Sequence, residues 1–103
     1  MYRNKRLLEV VRNLPCQLCG QSDGTVVAAH SNQLRDGKGR GLKCSDALIA
    51  ALCYRCHAEI DQGSKLSKES RVEMWESAHK ATIKELFERG YLTVNRFPKI
   101  END

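Results

Sequence analysis

Two C-x-x-C pairs, Cys16–Cys19 and Cys53–Cys56, constrain the fold of this chain more than any other feature of its sequence. Each pair can present two thiolates to one ion, and two such pairs complete a tetrahedral Zn–S4 site. We therefore predict a structural zinc ion (Zn2+) held by all four cysteines. The pairs are 33 residues apart, which exceeds the usual zinc-ribbon gap and predicts a sizeable insert between the two knuckles. A redox-active C-x-x-C is disfavoured because the strand–helix alternation of a thioredoxin-like fold is missing.

Length and charge limit the class of protein. The 103 residues predict a single domain, because so short a chain buries barely enough surface for one core. Residues 1–43 hold eight basic and three acidic residues (+5), whereas residues 44–103 hold nine and ten (−1), a bias that favours a polyanionic partner such as DNA. No apolar run reaches membrane-spanning or signal-peptide length, so we expect a cytoplasmic protein with no membrane partner.

A reducing compartment favours metal binding over disulfides for the paired cysteines. The fifth cysteine, Cys44, has no partner at ligand spacing, and we predict that it is a buried or bystander thiol.

Hydrophobic periodicity and turn residues predict an α+β chain. Residues 47–52 are ambiguous between strand and helix, and we assign a strand because the segment is short and a knuckle follows it. A helix is expected to begin near His57 and to stop at Gly63. The other predicted elements are a helix over residues 4–14, a strand over residues 25–30, a loop over residues 31–46, a long helix capped by Ser67 and ending before Gly90, and an irregular tail after it.

The long helix is predicted to turn one apolar face to the core, and Trp75 and His79 are interpreted as core residues. That face contains Val72, Trp75, His79, Ile83, Leu86 and Phe87. The domain then divides into an N-terminal helix (residues 1–14), a zinc-knuckle core (residues 15–63), and a C-terminal helix with its tail (residues 64–103).

His57 and Asp61 are four residues apart on a predicted helix, so that their side chains share one face. With zinc saturated by four cysteines, this pair suits Mg2+ or another divalent ion that keeps waters and accepts a phosphate oxygen. Two alternatives remain open at this point. His57 could replace a cysteine at the zinc, or both side chains could belong to a solvated helix face.

His30 ends an apolar strand inside the insert, next to a loop rich in glycine and basic residues. A histidine of near-neutral pKa beside a divalent-ion site is the arrangement of a metal-assisted phosphodiesterase, in which the imidazole deprotonates a water. The alternative is a core histidine whose nitrogens are satisfied by the backbone.

The loop itself carries four cations among Gly37, Gly39 and Gly41, and it lies where it could grip the phosphates that flank a cleavage point. The alternative is a solvated loop without a ligand. The four cations are Arg35, Lys38, Arg40 and Lys43.

These motifs resemble those of the zinc-containing HNH endonucleases, whose core is the ββα-metal finger. More closely, residues 13–63 resemble the small HNH-like nuclease-domain proteins of lambdoid phages and prophages. The resemblance depends on three segments: Leu14-Pro-Cys-Gln-Leu-Cys-Gly20, Thr25-Val-Val-Ala-Ala-His-Ser-Asn32, and Ile49-Ala-Ala-Leu-Cys-Tyr-Arg-Cys-His-Ala-Glu-Ile-Asp-Gln-Gly63.

The resemblance implies a zinc-stabilised ββα-metal core flanked by the N-terminal and long C-terminal helices. It implies His30 as the general base, His57 and Asp61 as ligands of the catalytic divalent ion, and the four paired cysteines as ligands of a structural zinc. The activity implied is that of a metal-dependent DNA endonuclease, acting in phage DNA recombination or processing in the bacterial host cell.

The chain departs from the HNH pattern at two positions. Ala29 stands where many family members place a metal-binding His or Asp before the general base. Either the ion then has two protein ligands completed by water and phosphate, or His30 is itself a ligand and the base is another residue. Leu48 stands where the middle Asn of the motif is expected, so Asn32 or Asp46 could orient His30 instead. The competing function is a non-catalytic zinc scaffold that binds DNA or a protein partner.

Overall fold

A two-stranded antiparallel sheet and three helices make up the described part of the protein, a computed structural model that covers residues 1–33, 44–63 and 65–95. The α+β class predicted from the sequence is confirmed. In chain order the elements are α1 (Lys5–Arg12), β1 (Val27–His30), β2 (Ile49–Leu52), α2 (Tyr54–Gln62) and α3 (Lys68–Glu88).

The sheet forms the centre of the core. In the register of β1 against β2, Val27 lies opposite Leu52 and His30 lies opposite Ile49. All four residues of β2 are buried. On the side of β2 that faces away from β1, Ala51 donates its N–H to Thr82 Oγ1 of α3 at 2.9 Å. The Ala51 carbonyl accepts from the backbone N–H of Gln17 in the first cysteine knuckle at 2.8 Å. The knuckle and α3 therefore satisfy the backbone of β2 where a third strand would otherwise be needed.

Helix α1 begins at Lys5 because Asn4 is a good N-cap, whose Oδ1 accepts from the backbone N–H of Leu7 at 3.0 Å. Leu7 and Val11 are one turn apart and are both buried, so one stripe of the helix packs against β1. The N-terminal helix predicted over residues 4–14 is thus present and slightly shorter.

Helix α3 begins directly after Ser67, whose hydroxyl accepts from the N–H of Ser70 at 3.0 Å, as the capping signal predicts. The predicted core face is correct in part, since Phe87 is 49% exposed. The buried face contains the small residues Ala78 and Thr82 instead, because α3 lies close enough to β2 for the Thr82 hydroxyl to accept from a strand N–H. The remaining buried side chains of α3 are Trp75 and Leu86.

Strand and helix limits differ slightly from the sequence prediction. Strand β1 begins at Val27 rather than at residue 25, because Thr25 turns its hydroxyl to accept from the N–H of Tyr54 at 2.9 Å. That contact and the extended Cys53 N-cap start α2 at Tyr54, three residues earlier than expected. Strand β2 begins at Ile49.

The basic loop cations and the end of the predicted tail lie outside the described residues. Within the described part, residues 91–95 contain neither helix nor strand. Of the helices that the structure describes, none combines the length and apolar character needed to cross a membrane.

Candidate metal centre and catalytic site

The four paired cysteines meet at one point, as their spacing predicts. The sulfur atoms of Cys16, Cys19, Cys53 and Cys56 all lie within 4.8 Å of one another. The Sγ atoms of Cys19 and Cys53 are 3.7 Å apart. In a tetrahedral site with Zn–S bonds of about 2.3 Å, neighbouring sulfurs lie about 3.8 Å apart. The cluster therefore fits a zinc ion.

Two different local structures present these thiols. In the first knuckle, the N–H of Gly20 bonds to the carbonyl of Cys16 at 2.9 Å, and Gly20 has φ +80°, a conformation that favours glycine. The second knuckle is the first turn of α2, where Cys53 is the N-cap and Cys56 follows on the same face of the helix. A tight turn and a helix N-terminus thus converge from opposite ends of the insert.

The electrostatics of the cluster also favour a cation. Burial alone raises the pKa of Cys16, but hydrogen bonds from the backbone N–H groups of Cys19 and Cys53 lower it to about 6. Burial raises the pKa of Cys56, and contacts with the other three cysteines raise it further. One thiolate is therefore favoured while its neighbour resists ionisation, because adjacent negative charges repel in a buried site. A divalent cation would permit full ionisation of the set.

Cys44, the fifth cysteine, is fully buried, as predicted, and lies outside this cluster. Its thiol donates to the carbonyl of Ser31 at 3.3 Å. Since all four paired cysteines meet without help from another residue, the geometry also disfavours the alternative in which His57 replaces a cysteine at the zinc.

His57 and Asp61 form a pair on α2 beside the cysteine cluster. His57 Nε2 lies 3.0 Å from Asp61 Oδ2, and the two side chains are 37% and 39% exposed. Adjacent ligands of an octahedral ion, with bonds of about 2.1 Å, lie about 3.0 Å apart. The pair is therefore correctly spaced to hold two neighbouring positions of a divalent ion and accessible enough for a substrate to reach it.

Asn32 connects this pair to the end of β1. Its Nδ2 donates to Asp61 Oδ1 at 3.2 Å. Asn32 is one of the two candidates for orienting His30, but its amide contacts Asp61 on α2 instead. Two residues of extended chain span at most about 7 Å, so the Cα atom of His30 lies within that distance of the Cα atom of Asn32. The segment that directly follows β1 is therefore in contact with α2 at Asp61.

Asp46, the other candidate for orienting His30, contacts it directly. His30 Nε2 and Asp46 Oδ1 are 2.7 Å apart, and the side chains are 17% and 5% exposed. Burial raises the pKa of Asp46, but hydrogen bonds from His30 and the Asn4 N–H more than offset this, so the net pKa is lowered. An ionised carboxylate can only accept, so Nε2 of His30 carries the proton. In the neutral imidazole, Nδ1 is then the basic nitrogen.

The N-terminal segment holds Asp46 in place, a feature that sequence reasoning missed. The Asn4 N–H donates to Asp46 Oδ2 at 2.7 Å, and Arg3 Nη1 lies 3.3 Å from Asp46 Oδ1. Arg3 Nη1 also donates to the carbonyl of Cys44 at 2.6 Å. No local signal could have revealed these contacts, because more than 40 residues of chain separate the partners.

The residues predicted to bind metal ions form two separate sets, the four cysteines and the His57–Asp61 pair. Across residues 1–33, 44–63 and 65–95, the four cysteines are the only group of three or more potential ligands close enough to share an ion. His30 therefore does not join His57 and Asp61 as a third ligand in this conformation. Of the two alternatives raised by Ala29, this geometry does not support the one in which His30 is itself a ligand beside His57 and Asp61.

Comparisons with protein-family models, curated proteins and solved structures give no significant match to this chain. A functional conclusion therefore depends on the geometry of its own residues.

Proposed function

We propose that this protein is a metal-dependent DNA endonuclease that hydrolyses phosphodiester bonds. The observation that carries the proposal is the pairing of two histidines with two carboxylates, His30 with Asp46 at 2.7 Å and His57 with Asp61 at 3.0 Å. Asn32, two residues after His30, contacts Asp61 and so ties the end of β1 to the second pair. The His30–Asp46 pair suits proton transfer, and the His57–Asp61 pair suits binding of a divalent ion.

His30 is the general base in this proposal. Asp46 accepts from Nε2 and fixes both the ring orientation and the tautomer, which makes Nδ1 the atom that takes a proton from the attacking water. The imidazolium that forms is stabilised by the same buried carboxylate, so Asp46 is a positioning residue rather than a group that touches substrate.

His57 and Asp61 would hold the catalytic divalent ion, Mg2+ or a similar ion. When bound, such an ion neutralises charge on the scissile phosphate and on the leaving oxygen. The exposure of both side chains leaves room for water and a phosphate oxygen. Cleavage to 5′-phosphate and 3′-hydroxyl ends is what the HNH resemblance implies.

The order of the elements supports an HNH-like ββα core. Strands β1 and β2 pair antiparallel and α2 follows directly, with the cysteine cluster at the N-terminus of that helix. The structural zinc would fix α2 against the first knuckle, and the knuckle in turn bonds to β2 through Gln17. In this proposal His30, His57 and Asp61 are carried by β1 and α2, and Asp46 lies in the turn before β2.

DNA is the proposed substrate because the positive charge is concentrated in residues 1–43, where it totals +5. Four of those charges are the cations of the basic loop, which would contact phosphates without regard to sequence. Phage DNA recombination or processing remains the proposed biological setting, on the strength of the HNH resemblance.

The decisive experiment incubates supercoiled plasmid with the zinc-loaded protein and Mg2+ or Mn2+, and compares wild type with His30→Ala. A general base contributes about 10²–10⁴-fold to the rate, so the variant should lose nearly all cleavage and still bind DNA. His79→Ala is the matched control, because His79 lies on α3 and belongs to neither pair. Its Nδ1 bonds to the backbone carbonyl of Ile49 at 2.7 Å. Wild-type protein that binds DNA but cuts no substrate topology with any divalent ion would support the non-catalytic zinc scaffold instead.

A further inference from the structure

A cleft of about 370 Å³ opens between the residues that follow β1 and the helices α2 and α3. Its polar lining consists of two cations, Lys68 and Arg71, and two amides, Asn32 and Gln33. None of the described residues that line it is acidic, and the rest of its lining is apolar. Its chemistry therefore favours an anion that can also accept hydrogen bonds.

Arg71 has donor capacity that the fold does not use. Its Nη1 donates to the carbonyl of Ile60 at 3.3 Å and lies 3.5 Å from the carbonyl of Asp61. Its Nε is buried and has no hydrogen-bond partner in the described structure. Buried N–H groups are nearly always paired, so an unpaired one on a residue that lines a cleft is a reason to look for a ligand. Nε and Nη2 form the edge of a guanidinium that holds two oxygens of one phosphate.

The cleft is continuous with the candidate catalytic site. Asn32 lines the cleft and donates to Asp61 Oδ1 at 3.2 Å. Arg71 meets the carbonyls at the end of the same α2 turn that carries Asp61. A group bound in the cleft therefore lies next to any phosphate that reaches the His57–Asp61 pair.

We propose that this cleft binds a phosphate of the nucleic acid strand next to the scissile one. The Nε–Nη2 edge of Arg71 would donate to the phosphate, and the Lys68 ammonium would supply the second charge. This inference rests on the proposed function for the identity of the strand, whereas the binding of a phosphate group in the cleft can be tested without cleavage.

The test titrates zinc-loaded, 15N-labelled protein with inorganic phosphate, without added Mg2+ or Mn2+. A second titration uses a short 5′-phosphorylated oligonucleotide. The side-chain Nε–H resonance of Arg71 should shift in both. Binding of the oligonucleotide should be at least tenfold tighter than that of inorganic phosphate, and Lys68→Gln or Arg71→Gln should weaken it at least tenfold.

Two cations at the C-terminal end of α3, one of them its C-cap, provide matched controls. Lys84 and Arg89 pair with Glu88 and Glu85 outside the cleft, so Lys84→Gln and Arg89→Gln change the net charge equally. These controls should weaken binding less than twofold. Since Arg71 also ties α3 to α2, the exposed Lys68 keeps the test valid if Arg71→Gln unfolds. Arg71→Lys keeps the positive charge but removes the Nε–Nη2 edge of the guanidinium, so it separates the two contributions to binding.

The outcomes separate this inference from the endonuclease proposal. Phosphate binding that depends on Lys68 and Arg71 supports the cleft even if the protein cuts no DNA. Suppose that the protein cleaves plasmid, but the Arg71 resonance does not shift and the Lys68 and Arg71 variants bind as tightly as wild type. The proposal of a phosphate site in the cleft is then wrong, and the endonuclease proposal stands. Equal affinity for inorganic phosphate and the oligonucleotide would overturn the assignment to a nucleic acid strand, and would indicate a free phosphate ligand.

Discussion

Asp46 accepts a hydrogen bond from Nε2 of His30 at 2.7 Å, across 16 residues of sequence. The carboxylate is almost completely buried, and the imidazole opposite it remains partly accessible. The N–H of Asn4 occupies the other carboxylate oxygen at 2.7 Å. His30 is consequently held by a carboxylate whose own position is fixed by the N-terminus of the chain.

We expect Asp46→Asn to lower the cleavage rate at least about a hundredfold. An amide can donate to Nε2, which places the ring proton on Nδ1 and removes the basic lone pair. The 15N chemical shifts of His30 should report this change of tautomer directly. Asp23→Asn, the same change at an exposed carboxylate that contacts Thr25, is the control and should cleave normally. An unchanged rate in Asp46→Asn would show that Asp46 does not position the base.

The same carboxylate should stabilise the fold in a pH-dependent way. Burial raises the pKa of Asp46, but its hydrogen bonds lower it overall, so the folded state favours the ionised form. The stabilisation is therefore present above the ordinary pKa of 3.8 and is lost as the pH falls through the lower folded-state value. The difference in unfolding free energy between zinc-loaded wild type and Asp46→Asn should begin to shrink as the pH is lowered from 5 toward 4 in urea titrations. The comparison is confined to the pH values at which metal analysis shows that both proteins keep their zinc, because the cysteines must be deprotonated to hold it. A difference independent of pH would contradict the assignment.

Local spacing was enough to predict several parts of the site. The C-x-x-C pairs fix two sulfurs each, and the four-residue spacing of His57 and Asp61 on a helix brings their side chains to 3.0 Å. The Ser67 cap set the start of α3 in the same way. Each of these relationships lies within one turn or one helix, where sequence separation determines distance.

Contacts between distant segments could not be predicted in this way. Arg3 reaches Asp46 and Cys44, and Asn32 reaches Asp61, only because the sheet and the helices pack as they do. Thr82 reads as an ordinary polar helix residue in the sequence, yet it is buried as the partner of the Ala51 N–H. Arg71 gave no signal at all, since its role in the cleft depends on how α2 and α3 pack together.

Removal of one member of the His57–Asp61 pair should weaken the binding of the catalytic divalent ion. His57→Ala and Asp61→Asn should each raise the Mg2+ or Mn2+ concentration for half-maximal cleavage at least about tenfold, because a two-ligand site loses half of its protein ligands. High metal concentration should restore part of the rate. Glu88→Gln changes another exposed i,i+4 pair on α3 and should leave the metal dependence unaltered. Unchanged metal titrations for both site variants would exclude this pair as the ion site.

The predicted zinc site can be tested by replacing its cysteines, with Cys44 as the control. Purified wild type should contain about one equivalent of zinc. Cys16→Ser or Cys53→Ser should give unstable or insoluble protein, because a structural zinc supplies about 10 kcal/mol or more of binding free energy coupled to folding. Cys44→Ser should keep its zinc, because that thiol is buried outside the cluster and serine preserves the donor to the Ser31 carbonyl. Metal analysis that finds less than about half an equivalent in folded wild type would contradict the site.

The basic loop should contribute to DNA binding in proportion to its charge. Replacing Arg35, Lys38, Arg40 and Lys43 with Gln removes four of the eight basic residues in the first 43 and turns the net charge of that segment from +5 to +1. The plot of log affinity against log salt concentration has a negative slope, and each lost phosphate contact makes that slope shallower by about 0.9. Binding should therefore weaken on every DNA sequence and depend less on salt. A comparison variant combines Lys80→Gln, Lys84→Gln and Arg89→Gln, which removes three positive charges from α3 and its C-cap. Zinc content should be the same in all three proteins, because none of the substitutions touches a cysteine. If the loop variant and wild type show equal affinity and equal salt slopes on duplex DNA, the loop is a solvated segment and the phosphate contacts must come from elsewhere.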